Sequence, residues 1–135
     1  MIQLVVGCAS PSQKSSFDPK TCLENIPSRV NGLEIIDGPR TEQSLIRDMM
    51  PAICSGQALF RHMKAKGESI NPGRVVFKVR VEWTGEVISV TAAESSIQSK
   101  KFLREVSDFI MDSDFVAWSR HDDDTIFLYP ANFGF

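Results

Sequence analysis

The chain has 135 residues, enough for one domain and a short tail, and its 42% hydrophobic and 24% charged content is ordinary for a globular protein. A formal net charge of -2, with no long basic run, points away from nucleic acid and anionic lipid as partners. No stretch approaches the roughly eighteen consecutive apolar residues of a membrane-crossing helix.

Three cysteines, Cys8, Cys22 and Cys54, lie far apart with no CxxC pair, so the spacing of a metal site is absent and neither metal nor cofactor is expected. An odd count in an exported protein leaves one thiol needing a role. Val5-Val6-Gly7-Cys8 resembles a bacterial lipobox, in which the cysteine is lipidated and becomes the new N-terminus. The polar stretch from Ala9 to Ser16 then reads as a tether. Only Ile2 to Val6 precede the small residue, without Lys or Arg, whereas a secretory leader carries a positive segment and a longer apolar one. Met1 is then internal to a longer precursor or the chain is trimmed; the competing reading is a cytosolic protein with a short apolar start. Ala9, not aspartate, after the cysteine resembles the sorting pattern of outer-membrane lipoproteins. Residues 1–30 are read as lipobox-like N-terminus and tether, residues 31–135 as the folded domain. In an oxidising compartment Cys22 and Cys54 are candidates for a disulfide; two unpaired thiols are the alternative.

Asn31-Gly32 signals a turn, and Leu33, Ile35 and Ile36 suggest a short strand before the break at Asp37-Gly38-Pro39. Thr41 is an N-cap for a helix whose apolar residues, from Leu45 and Ile46 through Met49, Met50, Ile53 and Cys54 to Leu59 and Met63, recur in steps of three and four. Pro51 should kink or split this helix, and Gly67 should end it. From Arg74 to Glu82, Val75, Phe77, Val79 and Val81 alternate with charged residues, the pattern of a half-buried strand. Thr84-Gly85 turns the chain into a second strand, Glu86 to Glu94, giving an antiparallel hairpin. Ser95 or Ser96 is the expected cap of a second helix with Phe102, Leu103, Val106, Phe109 and Ile110 as its apolar stripe, and Phe115 and Trp118 continue onto the core. A last strand runs from Thr125 to Tyr129 and is stopped by Pro130. The expected fold is α+β: a two-layer sandwich of a three-stranded antiparallel sheet with two helices on one face.

The ordered set of Gly73-Arg74-Val75-Val76-Phe77-Lys78-Val79, the Gly85 turn followed by Val87, Ser95-Ser96 before an apolar helix, Trp118, and Tyr129-Pro130 with Phe133 is similar to the C-terminal domain of the TonB/TolA superfamily, and within it most resembles the AgmX/PglI branch. The likeness spans roughly residues 41–133, and Cys54 sits where that branch often has a helix cysteine. The turn departs from the pattern, with Trp83-Thr84-Gly85 in place of Pro-Asp-Gly, and the anchor helix and Pro-rich spacer of a full TonB are not in this sequence. The resemblance implies recognition of an extended peptide at a sheet edge. The candidate edge is Thr125, Ile126, Phe127, Leu128 and Tyr129; a merely protected edge, blocked by Pro130 and nearby aspartates, is the alternative.

Trp83 at the hairpin tip is a candidate partner contact, since exposed Trp is common at binding hot spots; folding back over the core is the other reading. His121 with Asp122, Asp123 and Asp124 lacks the spacing of a calcium loop and reads as a solvated acidic turn. Cys54 and His62 are eight residues apart, roughly 12 Å along a helix axis, too far for a nucleophile and its base. No catalytic residues are assigned. The expected function is a non-catalytic lipoprotein binding module on the periplasmic side of the bacterial envelope. Its expected partner is an envelope or membrane protein bound by β-strand addition, and the chain itself a monomer or weak dimer. The alternative is a self-associating structural subunit of an envelope motility, secretion or transport assembly.

Overall fold

The computed structural model describes residues 18–120 and 122–134. In chain order the elements are α1 (Pro19–Glu24), β1 (Glu34–Asp37), α2 (Glu42–Ala65), β2 (Gly73–Val81), β3 (Val87–Ser95), α3 (Lys100–Met111) and β4 (Thr125–Phe133). All neighbouring strands run antiparallel, in the order β1-β4-β2-β3. The class is therefore α+β with an antiparallel sheet, but the sheet has four strands where three were expected. The short segment Glu34–Asp37 joins it by pairing Glu34 with Leu128 and Ile35 with Phe127.

Alternation along β2 buries Val75, Phe77, Val79 and Val81 completely and leaves Arg74, Lys78 and Arg80 exposed. The buried face shares one apolar cluster with Leu45, Ile46, Met49, Ile53, Phe60 and Met63 of α2 and with Phe102, Val106 and Ile110 of α3. Phe102 is its hinge: Phe60 and Phe133 each meet its ring edge-to-face, at centroid separations of 5.8 and 5.0 Å. Gly56 lets α2 come this close to β4, since a Cβ there would stand 2.8 Å from the Phe133 ring.

Thr41 caps α2 by accepting from the Ser44 N–H at 3.2 Å. Pro51 neither splits nor ends the helix. It lies on the exposed side of the helix, and the chain stays helical on both sides of it. The cap of α3 is Ser99, which accepts from Phe102 N–H; Ser95 ends β3, and Ser96 hydrogen-bonds Arg74 in β2. The last strand runs through Pro130 to Phe133, past the expected stop.

Candidate functional site

Asp18 starts the site by capping α1: its carboxylate accepts from Lys20 N–H at 3.0 Å and Thr21 Oγ1 at 2.8 Å. The Thr21 hydroxyl, then the Lys20 amide, holds its pKa below the usual aspartate value. One turn on, Cys22 is joined by a disulfide to Cys54, 32 residues later on α2 and itself buried. Residues 18–33 thus form a strap fastened to α2, with Val30 and Leu33 packed against the core. Leu33 N–H donates to the Val30 carbonyl, and Gly32 takes φ +88°, a value that favours glycine.

The strap delivers the chain into β1, which covers only part of β4. Pairing with β1 spans Ile126 to Leu128, whereas pairing with β2 spans all of β4 from Thr125 to Phe133. From Tyr129 onward β4 has a strand neighbour on one side only. This corrects the expected binding edge. Ile126, Phe127 and Leu128 lie inside the sheet with a strand on each side. Thr125 is buried, its hydroxyl accepting from Arg40 N–H at 3.4 Å, and Tyr129 is buried at the start of the one-sided stretch. Apart from Tyr129, the one-sided stretch lies beyond the expected edge, because Pro130 does not end the strand.

Between this half of β4, the strap and α2 lies a groove of about 710 Å³. Its walls are Cys22, Pro27, Arg29, Val30, Asn31 and Gly32 from the strap, Met50, Ile53 and Gln57 from α2, and Arg74 with Tyr129 to Asn132 from the sheet. Gln57 closes one end: its Nε2 donates to the Asn132 carbonyl at 2.6 Å and its Oε1 accepts from Gly134 N–H at 3.3 Å. The Asn132 carbonyl therefore points away from β2, and by strand alternation so do the Asn132 N–H and the Pro130 carbonyl. A proline here forfeits no ladder bond to β2. Burial raises the Tyr129 phenol to about 12. A Cβ at Gly32 would stand 2.9 Å from Arg74 Nη2 and 3.0 Å from Pro130 Cγ, so the Arg74 guanidinium reaches the strap at Gly32.

Trp83 is half-buried, and its carbonyl accepts from Trp118 N–H at 2.8 Å, at the end of the sheet where β4 starts and away from the groove. Cys54 is tied up in the disulfide, while His62 lies exposed on α2. Cys8, the lipobox and the polar stretch from Ala9 to Ser16 lie outside the described residues, as does His121. Among the described residues no group of three or more His, Cys, Asp or Glu is placed to hold a metal, and no helix is long and apolar enough to cross a membrane.

Sequence reasoning missed Arg29, Gln57 and Arg40. Arg40 is 3% exposed and donates to the Val116 carbonyl at 2.6 Å and the Glu82 carbonyl at 2.9 Å. Its guanidinium also lies over the rings of Phe115 and Trp118, at 5.8 and 5.4 Å. Desolvation lowers its pKa, and Asp48, whose carboxylate accepts from Val116 N–H, opposes that shift. This network locks the segment after α3 to the hairpin tip. Gln57 had a detectable signal: a polar residue on the apolar stripe of the helix, three positions after Cys54 and three before Phe60.

Comparisons with protein-family models, with curated proteins and with solved structures find no match.

Proposed function

We propose that this chain is a non-catalytic binding module held outside the bacterial cytoplasm by a lipid on Cys8, and that it docks an extended segment of an envelope or membrane protein beside β4. In this reading the domain is a two-layer sandwich of the TonB C-terminal kind, with β1 as an added strand. The carrying observation is the half of β4 beyond Leu128, which has one strand neighbour and borders an open groove. A peptide laid there would gain backbone hydrogen bonds from Pro130 and Asn132 and contacts from α2 and the strap. The Cys22–Cys54 disulfide supports the location, since such bonds persist in oxidising compartments and are rare in the cytosol.

Location is tested by labelling cells that express the natural precursor with a palmitate analogue. Label in the membrane fraction for the parent, and none for Cys8→Ser, is the expected result. An unlabelled cytosolic parent overturns the lipoprotein assignment.

A further inference from the structure

Two arginines line the groove, and no carboxylate does. Arg29 comes from the strap and Arg74 from β2, so they reach it from different elements. Among the described residues neither guanidinium has an ion-pair or hydrogen-bond partner. The nearest acid by register is Glu94, opposite Val76 on β3, and it forms no ion pair with Arg74. Elsewhere on the same face Arg80 does find a carboxylate, Asp124 at 2.7 Å. The chain carries 17 acidic against 15 basic residues, so a groove with basic residues alone stands against the balance of the whole molecule. Asn31, Gln57 and Asn132 add amide groups but no negative charge.

We infer that the segment docked here is acidic: an extended peptide carrying an Asp or Glu side chain, its backbone along Tyr129–Asn132 and its carboxylate between Arg29 and Arg74. This rests on the strand-docking reading above and names the chemical class of its partner. The guanidinium fork suits a carboxylate, and the exposed setting makes the pair a determinant of choice more than of raw affinity. The strap brings Arg29, so the disulfide that fastens the strap also assembles the charge site.

The test selects short random peptides from a display library on the oxidised protein. Winners are then made with both ends capped, so that the only carboxylates are side chains, and bound in a fluorescence-polarisation titration. The expected winners carry Asp or Glu at a fixed position, and changing it to Gln or Asn weakens binding roughly two- to fivefold. That loss should vanish against the Arg29→Gln/Arg74→Gln variant, and rising salt should weaken only the acidic peptide. Both arginines are exposed, and thermal melting checks that the variant is folded. Winners without an acidic excess, or an equal loss on the parent and the variant, overturn the acidic partner. If such winners still lose binding when their own backbone amides are methylated, strand docking stands without it. A library from which nothing is retained overturns both.

Discussion

Arg40 shows how much of this fold depends on a residue whose role is invisible in its neighbours. The two carbonyls it serves, from Glu82 and Val116, lie 42 and 76 positions away. An arginine after a Gly-Pro break therefore reads as surface until the fold places those oxygens around it. Arg40→Met keeps the apolar contact with Phe115 and Trp118 but leaves the Val116 carbonyl without its guanidinium donor and the Glu82 carbonyl with the Gly85 N–H alone. We expect a loss of about 1–3 kcal/mol in urea unfolding, from the two lost charge-assisted hydrogen bonds and the part-buried Val116 acceptor. Arg40→Lys should fail nearly as badly, because one ammonium cannot serve both oxygens with the arginine's planar fork. Tyr129, the only tyrosine of the chain, gives a cleaner readout at the groove. Its phenol is raised from 10.0 to about 12, so the folded state holds its proton where the unfolded chain has lost it. The unfolded state then binds fewer protons, and stability falls as pH rises. The contribution is fully present below pH 10 and lost by about pH 12, at most about 3 kcal/mol. Phenolate absorbance should titrate near the raised value in the folded protein. In Tyr129→Phe the alkaline decline in urea stability should be shallower, with Cys8 alkylated to prevent thiol exchange.

Among the elements, the strap has the weakest internal support: α1 is six residues, and Leu23 within it and Ile26 just after it are each 43% exposed. A disulfide closing a 32-residue separation stabilises by about 3–4 kcal/mol through loop entropy. Replacing both cysteines in a Cys22→Ala/Cys54→Ala variant should lower stability by up to that amount. Hydrogen exchange should quicken through residues 18–33 while β2 and β4 keep their protection. Uniform loosening of the sheet would mean that the strap is part of the cooperative core. The strap's fastening was legible as one of two alternatives, because two cysteines without metal spacing admit a pairing that spacing cannot decide. The β2–β3 hairpin was legible because alternation and the Gly85 turn are local signals. Pairing of β1 with β4 was not: it joins segments about ninety positions apart, and nothing in Leu33–Asp37 names its neighbour. The stop expected at Pro130 failed for a related reason. Proline ends a strand only where its missing N–H was owed to a neighbour, and here that side faces the groove. Register slips explain two further surprises. Ile36 and Ile88 are the unmatched residues of bulges in β1 and β3, and they are 48% and 43% exposed despite apolar surroundings in the sequence.

At the scale of the molecule, the same bulges bear on self-association. The sheet has two outer strands, β1 and β3. Pairing of β3 with β2 slips at Ile88 and again at Ala93, so the regular run between the slips is Ser89 to Ala92. A second copy pairing through this edge would find only that short stretch straight, with twist increased at both ends, and bulged edges of this kind resist edge-to-edge pairing. β1 is shorter still and slips at Ile36. A net charge of -2 gives too little repulsion to keep copies apart, so the shape of the edges has to do it. The oxidised protein should therefore sediment as a monomer up to sub-millimolar concentration, in low and in high salt. A concentration-dependent dimer would favour the self-associating subunit over the peptide-docking module. Hydrogen exchange would then say which edge it uses: slowed amides in Ser89–Ala92 would mark a β3 pair, and slowed amides in Tyr129–Phe133 would put a second copy in the groove. Only the latter would compete with an acidic peptide, so adding that peptide to the dimer separates the two arrangements. Dissociation on addition means one groove serves both uses, whereas persistence means the copies meet on the far side of the sheet.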